Sequence, residues 1–227
     1  MVVGTVTEPV ARVVDGERIA RLALALVAAV LVVLAARLPV WEARLEVTQY
    51  PGRPLVLTAF GDHLEGDVDE VKILNHYVGL HVFDMAELRE TALWIPAIAI
   101  GFGCVVVAWA LPRRRPHEPA IPKGWMGTMA RLGLWAIPVG VLVDVQFRLY
   151  QLGHSMDAGA AFRQEPFTPP VIGSVHLTSN VLTRAWPGRG VVSLLVAAFL
   201  MTFGMSLFRF GRQLLGVETP SPAAAEG

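Results

Sequence analysis

The chain has little of what soluble domains and enzymes are built from. Charged residues occupy 17% of its 227 positions, below the quarter or so usual in a globular domain. Basic and acidic side chains balance at 19 each, so no overall field draws the protein to nucleic acid or to an acidic partner. Cys104 is the single cysteine and lies in an apolar stretch. An intramolecular disulfide, a CxxC redox pair and a thiolate metal cluster are therefore excluded, and packing is its expected role. No P-loop or G-x-G-x-x-G stretch indicates a nucleotide. Ser174, His176 and Asp157 are present, but no G-x-S-x-G elbow positions a hydrolase nucleophile. No internal repeat suggests a solenoid or propeller.

What is abundant is apolar. Hydrophobic residues make up 54% of the chain and mean hydropathy is +0.51, the composition of a polytopic membrane protein. A bilayer core about 30 Å thick takes roughly 20 residues of helix. Residues 19–41, 92–111, 129–152 and 191–208 meet that length. The first needs Arg21 and Arg37 to snorkel. A cleaved signal peptide competes for it, but residues 22–36 are long for an h-region and no A-x-A site follows.

Residues 92–111 carry no charge and run directly into Arg113, Arg114 and Arg115, which by the positive-inside rule places that end in the cytoplasm. Four spans then put both termini inside. Arg12, Arg18 and Arg21 before or within the first span agree, as do Arg209 and Arg212 after the fourth, whereas Arg37 is a discordant flank. Trp94, Trp109, Trp125, Trp135 and Trp186 lie near span ends and fit an interfacial aromatic belt. The expected plan is a cytoplasmic segment 1–18, extracytoplasmic loops 42–91 and 153–190, a cytoplasmic loop 112–128, and a cytoplasmic tail 209–227 that is disordered from residue 216, where proline and alanine dominate. The bacterial inner membrane is the expected location.

The fold class expected is thus an all-α membrane protein with four transmembrane helices and a small extracytoplasmic cap, made of a short β-hairpin plus irregular loops. Loops as long as the two outer ones are uncommon without function or structure of their own. Residues 54–60, the turn signals Gly61-Asp62 and Gly66-Asp67, and then residues 71–74 predict a pair of strands. Residues 85–90 are good helix formers leading into the second span. Three prolines in residues 165–170 predict an extended strap.

Five of the six histidines fall in the outer loops, and His117 lies in the inner one. Two elements match: His81-Val-Phe-Asp84 and His154-Ser-Met-Asp157. On a helical turn that spacing puts imidazole and carboxylate on one face. Two such turns together supply two nitrogens and two oxygens, a set suited to zinc, copper(II), iron or manganese. His76 is a reserve ligand, about 140° round a helix from His81 unless the chain bends at Gly79. The plainer alternative is that these histidines bond loop backbone and cap helix ends. His63, in a charged turn, reads as solvated.

The third span carries Asp144, Arg148 and Gln151 within an arc of about 60°, a polar stripe beneath the outer surface. Intramembrane charges invite a functional reading, and the plainer one is an i,i+4 ion pair of Asp144 with Arg148. A transmembrane ion path is not expected, because the polar interior groups of the other spans are Ser193, Thr202 and Ser206.

Leu74-Asn-His-Tyr-Val-Gly79, Gly153-His-Ser-Met-Asp157 and Pro166-Phe-Thr-Pro-Pro-Val-Ile-Gly173 together resemble small bacterial inner-membrane proteins associated with maturation of copper enzymes of the nitrous-oxide-reductase type. The resemblance covers the outer loops, roughly a third of the chain, and brings no catalytic residues with it. It implies metal handling. The expected function is an accessory protein that binds or presents copper or zinc at the outer face through His81, Asp84, His154 and Asp157, with His76 in reserve. A structural or scaffold subunit without a ligand is the alternative. The expected partners are the lipid bilayer and a membrane or extracytoplasmic protein, with no nucleic acid and no nucleotide.

Overall fold

A computed structural model describes residues 8–48, 50–78, 89–111, 123–155, 166–178 and 181–215. Along the chain these form α1 (Glu8–Ala35), β1 (Trp41–Val47), β2 (Leu55–Ala59), β3 (Leu64–Gly66), α2 (Val68–Val78), a 3-10 turn (Arg89–Leu93), α3 (Trp94–Ala110), α4 (Lys123–His154), β4 (Gly173–Thr178), β5 (Val181–Pro187) and α5 (Arg189–Leu214).

Four helical stretches are long and apolar enough to cross a membrane: Gly16–Ala35, Thr91–Ala110, Trp125–His154 and Arg189–Leu214. At 1.5 Å per residue even the shorter ones reach about 30 Å. They pack as a ring in which α1 contacts α5 and α3, and α4 contacts α3 and α5. Ala25, Ala28, Val32 and Ala35 of α1, spaced by three and four residues, are buried together with Val191, Leu194, Ala197 and Ala198 of α5. Side chains this small let two backbones approach closely, the usual device where lipid removes the hydrophobic drive between helices. The opposite faces expose Leu26, Val30, Ile95, Phe102, Val143, Phe147, Phe199 and Phe203. Apolar surface that extensive suits contact with a bilayer and is rare on soluble monomers.

The first helix stops short of the expected Trp41. Its last turn tightens to i→i−3 bonds, Ala36 N to Val33 O, Arg37 N to Leu34 O and Leu38 N to Ala35 O, because Pro39 cannot continue the helix. Trp41 opens a strand instead. At the other end of the bundle the helices run further than expected, α1 from Glu8, α4 from Lys123 and α5 to Leu214. There Arg209 grips Glu17 through Nε and Nη2, both at 3.0 Å, tying α5 to α1.

The cap is larger than a hairpin with irregular loops. Both predicted outer loops contribute to one five-stranded antiparallel sheet of order β3-β2-β1-β5-β4. Its centre pairs Trp41 with Pro187 and Val47 with Val181, so the two loops meet along the full length of β1. Pairing the two loops satisfies the backbone groups along β1 and β5 and lays their apolar faces side by side in one sheet. The alternation in β1 makes this explicit. Trp41, Ala43, Leu45 and Val47 turn to one side with Leu55, Leu57 and Ala59 of β2 and Thr183 and Ala185 of β5. Glu42, Arg44 and Glu46 turn to the other, where Trp186 Nε1 donates to Glu42 Oε2, Arg44 lies over the Trp186 ring at 5.3 Å, and Arg184 pairs with Glu46 at 3.4 Å.

The strand expected at residues 54–60 is β2, but residues 71–74 are helical, not extended. Val68, Val71, Leu74 and Val78 recur at helical spacing, and Asp69 and Glu70 occupy the first turn of α2, where the helix dipole favours acids. The partner of β2 is β3, which ends at Gly66 with φ +99°. A Cβ there would strike the Val56 carbonyl oxygen. Asp67 then closes the edge, its Oδ2 accepting from Val56 N at 2.9 Å and its backbone N–H donating to Val56 O at 2.8 Å.

Candidate functional site

The apolar face of the sheet is covered by α2, by the last turns of α4 and by the proline segment at residues 166–170. That segment has no regular structure, as its prolines predict. Gln146 on α4 clamps it. Gln146 Nε2 donates to Pro169 O at 3.1 Å, and Gln146 Oε1 accepts from Val171 N at 2.9 Å. Trp41 Nε1 donates to Val171 O at 2.9 Å from the sheet side. The strap crosses α4 at Gly153, whose carbonyl accepts from Phe167 N and where a Cβ would meet the Phe167 carbonyl. Replacing Gln146 with leucine removes both amide bonds. The expected result is a stability loss of about 1–3 kcal/mol, with faster hydrogen exchange at the Val171 amide. Unchanged exchange there would contradict the clamp.

Between these layers lies a cavity of about 180 Å³, walled by Trp41, Ala43, Leu45 and Leu57 of the sheet, Val71 of α2, Leu149 and Leu152 of α4, and Phe167 of the strap. Lys72 and Asn75 of α2 and Thr183 of β5 also line it. Thr183 is 6% exposed, and its Oγ1 has no hydrogen-bond partner. A buried hydroxyl without a partner costs roughly 1–3 kcal/mol. The strap divides this cavity from a second, open groove of about 590 Å³ along α4. Thr168 and Val171 face the groove, whereas Phe167 and Pro169 face the cavity.

The expected metal ligands distribute unevenly. His81, Asp84 and Asp157 lie outside the described residues. His76 sits on α2 and His154 is the last residue of α4. His154 Nδ1 lies 2.9 Å from Tyr150 O, and its ring stacks on Tyr150 at 4.0 Å. A carbonyl only accepts, so Nδ1 carries the proton and neutral His154 keeps its lone pair on Nε2. Among the described residues no group of three His, Cys, Asp or Glu side chains is placed to hold a metal ion. Of the polar stripe on α4, Asp144 and Arg148 are half-buried, and Arg148 Nη1 donates to Gln151 Oε1 at 3.0 Å.

His63 is half exposed, as its charged turn suggests, yet it is engaged on both nitrogens. Nδ1 is 2.6 Å from Asp62 Oδ1 and Nε2 is 3.1 Å from Glu65 Oε1, with the ring stacked on Phe60. The hydrogen bond to Asp62, then that to Glu65, raises its pKa above the ordinary 6.5. A raised folded value means the stabilisation is complete below that ordinary pKa and is lost as pH rises through the folded one. A proton-NMR titration of His63 should therefore have its midpoint above 6.5. Asp62→Asn should bring that midpoint down, and an identical curve in the variant would refute the pairing.

Three side chains that shape the cap and the bundle stand outside the expectations: Gln146, Thr183 and Arg131. Thr183 was legible in principle, since it alternates with Val181 and Ala185 on the apolar side of β5. Arg131 is 8% exposed on α4. Its Nη1 donates to Gly127 O at 2.8 Å, its Nη2 to Ala108 O at 3.2 Å and its Nε to Met201 O at 3.1 Å, so one guanidinium joins α3, α4 and α5.

No family model, curated protein or solved structure matches the chain. The cap's own geometry is therefore what bears on function.

Proposed function

We propose that the protein is a non-enzymatic accessory subunit of a bacterial cytoplasmic membrane, with both termini cytoplasmic and the sheet cap outside, holding an extracytoplasmic or membrane protein partner. The observation that carries this reading is the junction between cap and helices. Gly188 N donates to Val40 O at 2.9 Å and Gly190 N to Pro39 O at 2.7 Å, so β1 and β5 continue from α1 and α5 with no slack chain between. A cap fixed in this way suits a docking platform. It presents the polar side of the sheet and, at the far end, an open cleft of about 500 Å³ lined in part by Glu46, Tyr50, Arg53 and His176. The orientation rests on Arg113, Arg114 and Arg115 following α3, together with Arg209 and Arg212 late in α5. Purification in mild detergent tests the reading. A stoichiometric partner should remain with the wild type and be lost from a variant carrying Arg44→Glu and Arg184→Glu. A lone chain in both preparations would sink it.

A second reading, presentation of copper or zinc, is favoured by one observation: His154 Nδ1 lies 2.9 Å from the Tyr150 carbonyl, a contact that leaves Nε2 for a metal. His154, with His81, Asp84 and Asp157, and His76 in reserve, would supply the ligands. Metal content of the purified protein decides it. The expected result is about one equivalent that falls when His81 and His154 become alanine. Less than roughly a tenth of an equivalent, indifferent to both substitutions, would leave docking as the function.

A further inference from the structure

We propose that the cavity beneath the sheet is a lipid site that takes the ester end of one acyl chain of an anionic phospholipid, Thr183 donating to the ester carbonyl and Lys72 meeting the phosphate. The inference rests on the helices crossing a bilayer and is independent of the docking reading. Three observations converge on it. The cavity walls are apolar, and its volume of about 180 Å³ has room for about six water-sized groups, at roughly 30 Å³ each. That is the length of a carbonyl and the first few methylenes, with the rest of the chain left to the bilayer. Leu149 and Leu152, which close one side, belong to the last turns of α4, a helix long enough to cross a membrane and to carry on into the cap.

The second observation is Thr183. It lies in register between Leu45 and Val175 on the apolar side of the sheet, buried, with an unpartnered hydroxyl. A hydrocarbon alone would leave that donor unsatisfied, and an ester carbonyl satisfies it while its chain covers the apolar walls. The third is Lys72, exposed on α2 and lining the same cavity beside Asn75. A cation beside an apolar cavity matches an amphiphile whose head is negative and whose tail is not.

The test uses the intact protein in nanodiscs containing equal parts ester-linked phosphatidylglycerol, ether-linked phosphatidylglycerol and ester-linked phosphatidylcholine, of which the first two differ in the carbonyl and the first and third in the head group. Mass spectrometry of the lipid retained after extraction in mild detergent gives the ratio. Wild type is expected to enrich the ester form about fivefold to tenfold, the worth of one hydrogen bond. Thr183→Val, which keeps the side-chain shape, should bring the ratio to about one. Lys72→Gln should abolish preference for phosphatidylglycerol over phosphatidylcholine and leave the ester preference in place. A ratio near one in wild type, or no change in Thr183→Val, overturns the inference. Phosphatidylglycerol bearing a diazirine on its acyl chain gives a second measurement. Cross-links to Leu149, Leu152 or Val71 are expected. Cross-links confined to the outward faces of α1 and α3 would overturn the site while leaving the bilayer placement intact.

Discussion

Arg131→Ala is expected to destabilise the detergent-solubilised protein by about 2–4 kcal/mol, lowering its thermal midpoint by about 5–15 °C. The magnitude follows from which carbonyls lose a donor. The Ala108 carbonyl would ordinarily accept from the N–H four residues on, but position 112 is proline and has none. Arg131 Nη2 supplies that donor at 3.2 Å, so truncation leaves the last turn of α3 short of a partner in a place shielded from water. The bond to Met201 O ties α4 to α5, and the bond to Gly127 O, within α4, fixes the guanidinium. Arg131→Lys should fall between wild type and alanine, since an ammonium lacks the planar fork that reaches three acceptors at once. Arg131→Met keeps the apolar stem and separates packing from hydrogen bonding. Retention of the wild-type midpoint in both the alanine and methionine variants would show that the three bonds contribute nothing.

Gly188→Ala should have the larger effect, a loss of more than about 3 kcal/mol with little folded protein recovered. A Cβ at Gly188 would fall on the backbone of Pro39 and Val40, and neither side can retreat. Residue 188 donates to Val40 O, while residue 190 donates to Pro39 O. The substitution therefore parts β5 from the end of α1 at the place where the sheet meets the helices. Gly211→Ala, inside α5 with open space around it, is the control, expected to be neutral or stabilising by up to about 1 kcal/mol. The recovery of monodisperse protein for the two variants side by side reads the difference. Equal recovery would mean the neck is slack.

The four long helices were legible in the sequence because each repeats apolar residues over roughly the thickness of a bilayer. Their ends were less so. Hydropathy carries the first helix to Trp41, although Pro39 two residues earlier already ends it. The sheet was hardest. Residues 41–47 alternate apolar and charged side chains without a break, a strand pattern in plain view, but the partner is β5, and pairing across that distance leaves no local signature. Residues 71–74 misled for the opposite reason, since a short apolar run fits a strand or a helix and only the longer period from Val68 to Val78 separates them. The candidate site was legible in part. The H-x-x-D motif singles out His154, and the carbonyl that its Nδ1 meets belongs to Tyr150 one helical turn back. Thr183, Gln146 and Arg131 act through neighbours distant in sequence, and composition is silent on those.

The pairing of β1 with β5 also bears on how the protein is made. The paired residues are about 140 apart in the chain, and synthesis proceeds at roughly 5–20 residues per second, so one edge of β1 stays open for about 7–28 s after it emerges. Through that interval three helices have been delivered and the sheet is half built, with a row of unused N–H and C=O groups that could recruit any passing strand. Truncation anywhere before residue 181 prolongs the interval indefinitely. A chain cut between the end of α4 and residue 181 should therefore accumulate as aggregated or protease-degraded material, with its first three long helices made and its sheet unfinished.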